Sequence, residues 1–111
     1  MLRRITQHSE YLEFQRPALL IRGTHFHAAT LPSPSEFAFG LTISKRIGKA
    51  HRRNLLKRRI KAWLQQRKDS LPQDCKINLI ARVGAGELDW QELCRELNAL
   101  LDRVSASRTG C

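Results

Sequence analysis

The apolar residues of this chain recur at helical intervals in two segments. In the first segment, four apolar residues stand at positions i, i+4, i+7 and i+8, which is typical of a helix that buries one side. They are Leu56, Ile60, Trp63 and Leu64. Five residues of the second segment have the same spacing. They are Leu93, Leu97, Leu100, Leu101 and Val104. The sequence therefore predicts two helices that pack on a core.

The second helix also carries a start signal. Asp89 is placed as its N-cap and Glu92 as the third residue of a capping box, while Leu88 and Leu93 are placed as a hydrophobic staple. Residues 105–111 contain no further apolar stripe. We therefore expect the helix to end near residue 104 and the chain to finish in a frayed tail.

Alternating apolar residues predict strands before the first of these helices and between the two. Residues 37–44 alternate bulky with small or polar side chains, and residues 75–83 alternate in the same way before Gly84. Residues 19–30 are largely β-compatible, with an expected bend at Gly23. These patterns predict a sheet in addition to the helices.

The N-terminal residues predict only a short element. A helix is expected between residues 9 and 16, with Ser9 as its N-cap and Pro17 as its stop. The chain has 111 residues, which is enough for one modest core, so residues 1–111 are interpreted as a single domain with its ordered core at about 3–104. It has no apolar run long enough to span a membrane and no secretory signal, so we expect a cytoplasmic protein without a membrane partner.

The positive charge of the chain is concentrated in one segment. Residues 44–68 hold eleven of the twenty Lys and Arg residues and no Asp or Glu, in a chain with a formal net charge of +10. Seven of the ten acidic residues lie between Asp69 and Asp102. Cations without acidic neighbours repel one another on a helix, so this segment is expected to bind an external polyanion.

The arrangement of these cations favours nucleic acid. Arg53, Lys57 and Lys61 step by four along the first predicted helix, with Asn54 and Arg58 one position round. Arginine presents a planar fork of donors that suits phosphate, and asparagine can bond to base or sugar edges. The apolar stripe is needed to close the core, which disfavours a membrane surface. RNA is favoured over DNA because no helix-turn-helix or zinc-finger pattern is visible.

No residue pattern indicates a metal site or a catalytic site. The three cysteines share no CxxC spacing, and their odd number argues against a disulfide framework. His25 and His27 share a face of the predicted strand, but no third ligand follows at a recognisable spacing. Glu92 and Glu96 are an i,i+4 pair that is typical of a helix surface. We therefore expect no protein-bound cofactor and no catalysis by this chain alone.

The segment from Phe39 to Trp63, FGLTISKRIGKAHRRNLLKRRIKAW, resembles the protein component of bacterial ribonuclease P. The family signature is an alanine, two residues, Arg-Asn, and then a hydrophobic and basic series. Its residues here are Ala50, Arg53, Asn54, Leu56, Lys57, Arg58, Ile60 and Lys61. The preceding strand and loop match at Gly40, Leu41, Ser44, Lys45, Ile47 and Gly48. The resemblance covers roughly residues 3–104.

This resemblance implies an α+β fold, a single-domain α/β sandwich with a mixed sheet packed by helices and a left-handed βαβ crossover. It implies a protein subunit that binds a catalytic RNA, with about one protein per RNA. The RNA performs the Mg²⁺-dependent removal of the 5′ leader from precursor tRNA, and the Mg²⁺ acts through the RNA. A structural RNA-binding protein, such as a ribosomal protein or an RNA chaperone, is the alternative, and an independent metal nuclease is a third hypothesis.

The resemblance also implies two sets of site residues. The basic helix and the loop before it are expected to contact the catalytic RNA. These residues are Lys45, Arg46, Lys49, Arg53, Asn54, Lys57, Arg58 and Lys61. A cleft between the sheet and the first helix is expected to bind the single-stranded leader through aromatic side chains. The candidates are Tyr11, Phe14, Phe26, Phe37 and Phe39. The chain departs from the family here, with Gln15 at one aromatic position and Ala28 or Ala29 at another.

Overall fold

The structure, a computed structural model, describes residues 2–34, 36–72 and 74–109. The strands are β1 (Leu2–Arg4), β2 (Leu19–Arg22), β3 (Phe26–Pro32), β4 (Phe37–Thr42) and β5 (Cys75–Ala81). The α-helices are α1 (His8–Leu12), α2 (Ala50–Gln66) and α3 (Trp90–Thr109). Single turns of 3₁₀ helix are Glu13–Gln15, Lys45–Ile47, Lys68–Ser70 and Ala85–Glu87. None of the helices in these ranges could cross a membrane.

The described strands form one mixed sheet in the order β1-β4-β5-β3-β2. β4 is parallel to both of its neighbours, β1 and β5, whereas β3 is antiparallel to β5 and β2. The expected bend at Gly23 separates β2 from β3 and makes them a hairpin. Because β4 and β5 are parallel, the chain must cross the sheet between them, and α2 makes this crossing.

The main core lies between one face of the sheet and the helices α2 and α3. Both predicted apolar stripes are buried there, so the two helical predictions are confirmed. Alternate residues of β4, Phe37 and Phe39, point into this core, whereas Ala38 points to the opposite face. A smaller cluster on that opposite face joins Ala38 to Ile5 and Phe14 beneath α1 and the turn that follows it. The result is a mixed sheet packed by helices, as the resemblance implied, with helices on both of its faces.

The start of α3 agrees with the prediction from the sequence, whereas its end does not. The Asp89 carboxylate accepts from the Glu92 amide at 2.8 Å, and the Glu92 carboxylate accepts from the Asp89 amide at 3.0 Å, so the capping box is confirmed. The expected end at residue 104 is wrong, because α3 continues to Thr109. Serine, alanine and arginine extend a helix without needing to be buried, and no helix breaker occurs before Gly110. Gly110 and Cys111 lie outside the described residues.

The N-terminal prediction was only partly right. A helix is present, but it starts at His8 after Gln7, and no side chain caps it, so the assignment of Ser9 as N-cap is wrong. The preceding strand β1 was missed. It has three residues and pairs with β4, more than thirty positions away, and no local pattern could reveal that pairing.

Candidate nucleic-acid interface

Eight polar residues on α2 and the turn before it form what we call the basic surface. They are Lys45, Arg46, Lys49, Arg53, Asn54, Lys57, Arg58 and Lys61, the set expected from the sequence. Six are exposed, and Arg53 and Lys57 are half-buried. Within the described residues, none of the eight side chains makes a hydrogen bond or an ion pair with the protein. Seven cations are therefore brought together without a protein counterion.

The buried side of α2 explains why these residues face outward. Leu56, Ile60, Trp63 and Leu64 are each at most 4% exposed, which fixes the rotation of the helix on the sheet. The first turn of α2 has no acidic residue, and no side chain caps its amides. Free amides at a helix N-terminus carry partial positive charge, which adds to that of the neighbouring cations. The electrostatic field at this end of α2 therefore favours an anion.

Gly48 shapes the backbone that leads into α2. Its φ is +149°, in a region that favours glycine, so the turn from β4 into the helix depends on this residue. A Cβ at this position would also lie 2.9 Å from the Arg52 side chain. Gly48 thus sets the position of Lys45 and Arg46 relative to the helix.

Two other cations, Arg59 of α2 and Arg67 directly after it, have structural partners. Arg59 donates to the Leu88 carbonyl at 3.1 Å, next to the start of α3. Arg67 donates to the Asn98 side-chain oxygen at 2.7 Å, and the Trp63 indole donates to the same oxygen at 2.8 Å. These bonds join α2 to α3. Both arginines lie outside the expected RNA-binding set, and they hold the helices together.

Five charged residues on the opposite face of the sheet form an ion-pair network. Arg3 binds the Glu10 carboxylate with two nitrogens, at 2.8 and 2.6 Å, and donates to Glu36 at 2.6 Å. Lys76 lies 3.0 Å from the Glu10 carboxylate and 3.2 Å from that of Glu13. The network ties α1 and the turn after it to β1, β5 and the residue before β4.

The network shifts the ionisation of its members. Hydrogen bonds from Arg3, together with Lys76, lower the pKa of Glu10 to about 2. The Arg3 hydrogen bond also lowers the pKa of Glu36, and Glu10 raises the pKa of Lys76. These carboxylates remain charged well below neutral pH, so the cations here are neutralised within the protein.

Three of the five aromatic residues that were predicted to bind the leader are buried in the main core, so the prediction is wrong for them. Phe26, Phe37 and Phe39 are at most 4% exposed, and they pack in the main core against the layer of α2 and α3. Strand alternation had indicated that one face of β4 is bulky, but it does not say which face a helix covers. Buried rings offer no face to an RNA base, so these three residues are core residues.

Tyr11 and Phe14 do lie on the side of the sheet that α1 covers. Phe14 is 7% exposed and packs in the smaller cluster, whereas Tyr11 is half-buried. The Tyr11 hydroxyl accepts from the Leu41 amide at 3.0 Å and lies 3.2 Å from the Ile5 carbonyl oxygen. Its ring packs so closely on Gly40 that a Cβ there would approach it to 2.9 Å. Tyr11 is the only one of the five predicted aromatics that combines partial exposure with this side of the sheet.

The two histidines do not converge on a common site. The His25 ring lies 2.8 Å from the Glu96 carboxylate, which also accepts from the backbone amides of His25 and Phe26. His27 faces the other side of the sheet, where its ring lies 3.4 Å from Arg82. The described residues contain no group of three or more His, Cys, Asp or Glu side chains that could hold a metal ion.

Sequence reasoning missed Arg82 as a neighbour of the basic surface. Arg46 and Arg82 line one shallow depression of about 300 Å³, together with Ser44. The parallel register of β4 and β5 pairs Thr42 with Ile80, so the residues two positions further along each strand also come together. That register is a long-range property, and a local pattern does not contain it.

Comparison with known proteins identifies similar sequences and folds. A family model described as Ribonuclease P matches residues 2–105. The ribonuclease P protein component of Geobacter sp. (strain M21) is 34% identical over 102 residues, covering 91% of this chain and 87% of the relative. The RNase P protein of Staphylococcus aureus matches at 22% identity with a TM-score of 0.83, covering 91% of this chain and 94% of that one. The RNase P protein from Thermotoga maritima matches at 23% identity with a TM-score of 0.82, covering 90% and 96%.

Proposed function

This chain belongs to the ribonuclease P protein family, and from that premise we propose that its basic surface binds the catalytic RNA of ribonuclease P. As a protein subunit of ribonuclease P, the chain has an RNA partner. We further propose that the assembled enzyme removes the 5′ leader of precursor tRNA in the cytoplasm, with one protein bound to each RNA. The RNA carries out the cleavage.

The observation that carries this proposal is the lack of protein counterions at the basic surface. Seven cations and one asparagine lie together there, and none has a polar partner among the described side chains. Phosphates of a folded RNA are the polyanion that the family membership supplies, and arginine side chains can contact them with two nitrogens at once. Counterion release would then contribute much of the affinity.

The proposed contribution of this chain to cleavage is binding and orientation. The described residues offer no cluster of metal ligands, so we assign no Mg²⁺ ligand to the protein and leave the ion with the RNA. Tyr11 is the candidate for contact with an unpaired leader base, because its ring is partly exposed. The hydrogen bonds of its hydroxyl would hold that ring in place.

The direct test is cleavage of a precursor tRNA at low Mg²⁺ by a bacterial ribonuclease P RNA, with and without this protein. We expect cleavage at the mature 5′ end to be stimulated by the protein and to be absent with protein alone. Binding to the RNA from the same source without any stimulation would contradict the proposal and would favour a structural RNA-binding protein. Cleavage by the protein alone, abolished by Glu92→Gln or Glu96→Gln, would favour an independent nuclease.

A further inference from the structure

Lys57 is the half-buried lysine of the basic surface, and its amine has no hydrogen bond or ion pair among the described residues. Arg53 precedes it by four positions and Lys61 follows it by four, and side chains at that spacing are neighbours on a helix. The Arg53 guanidinium also has no hydrogen-bond partner in the part of the chain that the structure describes, although its Nε is buried. An amine without a carboxylate partner therefore lies beside a guanidinium without one.

Two lysines elsewhere in the chain have different surroundings. Lys76 lies 3.0 Å from the Glu10 carboxylate and 3.2 Å from that of Glu13. Its hydrogen bond to Glu10 raises its pKa, so its nitrogen stays protonated and is a poor nucleophile. Lys68 is exposed, lies outside the basic surface and is followed directly by Asp69. These two lysines are natural references for the reactivity of Lys57.

An unpaired amine beside a guanidinium is suited to react with an acyl phosphate, such as acetyl phosphate. The phosphate group of this donor is negatively charged, and arginine can bind its oxygens with two nitrogens at once. Binding of the phosphate at a cationic surface raises the concentration of the donor beside the amine. Acetylation would then remove one positive charge from the basic surface.

We propose that Lys57 is a modification site, at which acyl phosphates acetylate the protein while it is free of RNA. Arg53 and Lys61 bind the phosphate group of the donor. The unprotonated Lys57 Nζ attacks the carbonyl carbon, a C–N bond forms, and the C–O bond to phosphate breaks. Inorganic phosphate leaves with the electron pair of that bond, and the nitrogen gives one proton to water. The reaction itself does not depend on the proposed function, but its consequence for RNA binding does.

The first test compares two acetyl donors on the free, full-length protein, with the acetylation of each lysine measured by peptide mass spectrometry. Acetyl phosphate should modify Lys57 about tenfold faster than Lys68, and Lys76 more slowly than either. Acetic anhydride, which is uncharged, should reverse the order of Lys57 and Lys68, because Lys57 is half-buried and Lys68 is exposed. Inorganic phosphate should slow only the reaction of Lys57 with acetyl phosphate. Equal rates at Lys57 and Lys68 with acetyl phosphate, or no competition by phosphate, would overturn the proposal.

The second test removes the guanidinium beside the amine. Arg53→Gln should slow acetylation of Lys57 by acetyl phosphate by about threefold to tenfold, and should leave its reaction with acetic anhydride unchanged. The matched control is Arg95→Gln, which replaces an exposed arginine of α3 and should change neither rate. An equal effect of the two variants would show that net charge alone attracts the donor. Thermal melting checks the fold of the Arg53 variant, and the phosphate competition tests the same binding in the wild type.

The third test links the modification to RNA. Ribonuclease P RNA should protect Lys57 from acetyl phosphate and leave Lys68 reactive. Protein made with acetyllysine at position 57 should bind this RNA about threefold to fivefold more weakly, with a salt slope that is shallower by about 0.7–0.9. Acetyllysine at position 68 should change neither quantity. Unchanged RNA binding after acetylation of Lys57 would contradict this regulation, whereas a wild-type protein that fails to stimulate cleavage would contradict the proposed function.

Discussion

The basic surface and the ion-pair network both contain cations, but among the described residues only the cations of the network are paired with carboxylates. In the network, Arg3 and Lys76 between them contact three carboxylates at distances of 2.6 to 3.2 Å, and both contact Glu10. At the basic surface, seven cations lie together with no carboxylate partner among the described residues. The first arrangement neutralises charge within the protein, whereas the second leaves it available to a ligand.

This difference shows that local pairing, more than net charge, indicates function. A count of Lys and Arg gives the same weight to Arg3 as to Arg58, although Arg3 is committed to Glu10 and Glu36. Unpaired cations held together destabilise a folded protein through mutual repulsion, and a polyanionic partner removes that repulsion. The network should therefore affect stability, and the basic surface should affect RNA binding.

The largest expected effect comes from removing three charges of the basic surface. Lys57→Gln, Arg58→Gln and Lys61→Gln together should weaken binding to ribonuclease P RNA by about thirtyfold to a hundredfold near physiological salt. The melting temperature should not fall, because these side chains bond to nothing in the described part of the protein. Filter binding and thermal melting measure the two quantities.

The matched control for this variant replaces Arg16, Lys68 and Arg95 by glutamine. All three are exposed cations outside both regions. If this control weakened RNA binding as much as the first variant, net charge would explain the affinity, and the basic surface would have no special role in RNA binding.

The next largest effect should be on stability. Glu10→Gln removes the carboxylate that Arg3 and Lys76 share, and leaves two cations less well paired. We expect the free energy of unfolding to fall by about 1–2 kcal/mol, with RNA affinity unchanged within about twofold. Urea unfolding and RNA binding of the same preparation measure both. A loss of RNA affinity with unchanged stability would contradict the assignment of the network to the fold.

Lowering the pH should remove the stabilisation that the Glu10 carboxylate gives to the wild type. The pKa of Glu10 is about 2 in the folded protein, below its ordinary value of 4.5. The carboxylate therefore stabilises the fold fully above about pH 4.5, and this contribution is lost as the pH falls towards about 2. Urea unfolding at several pH values should show the difference between wild type and Glu10→Gln shrinking over that interval. A difference that stays constant down to pH 2 would show that another interaction is responsible.

The smallest expected effects come from single replacements of two adjacent residues of α2. Arg58 is exposed and unpaired within the described residues, whereas Arg59 donates to the Leu88 carbonyl. Arg58→Gln should weaken RNA binding by about threefold to fivefold without changing stability. Arg59→Gln should lower stability by about 0.5–1.5 kcal/mol with little change in RNA binding. The same effect from both variants would contradict the division between the two kinds of cation.

Local patterns predicted the parts of the molecule that depend on local spacing. The buried stripe of α2 and the capping box of α3 are set by residues three or four positions apart, and the structure confirms them. The same stripe indicated which side of α2 is buried and that a basic ridge lies beside it. Arg58 and Lys61 of that ridge are exposed, whereas Arg53 and Lys57 are half-buried. The link between the basic surface and ribonuclease P came from the family motif. Hydrophobic periodicity and charge alone did not supply that link.

The errors in the ion-pair network and the leader cleft concern residues that are distant in sequence and adjacent in the fold. The network joins Arg3 to Glu36 and Lys76 to Glu13, across 33 and 63 positions, and no local pattern encodes such pairs. Phe37 and Phe39 were assigned to the leader cleft because alternation defines two faces of a strand without identifying the covered one. The ion pairs of the network and the burial of these aromatic side chains depend on strand register and on which face of the sheet each helix covers.

The most direct test of the central claim is the salt dependence of binding to ribonuclease P RNA, measured for the wild type, the Lys57, Arg58 and Lys61 variant, and Glu10→Gln. If the seven cations of the basic surface each contact a phosphate, the slope of log affinity against log salt should be about −5 to −6 for the wild type. It should become shallower by about 2–3 for the three-residue variant and stay unchanged for Glu10→Gln. A wild-type slope near −1, or an equal change for Glu10→Gln, would contradict the claim that the unpaired cations of α2 bind the RNA.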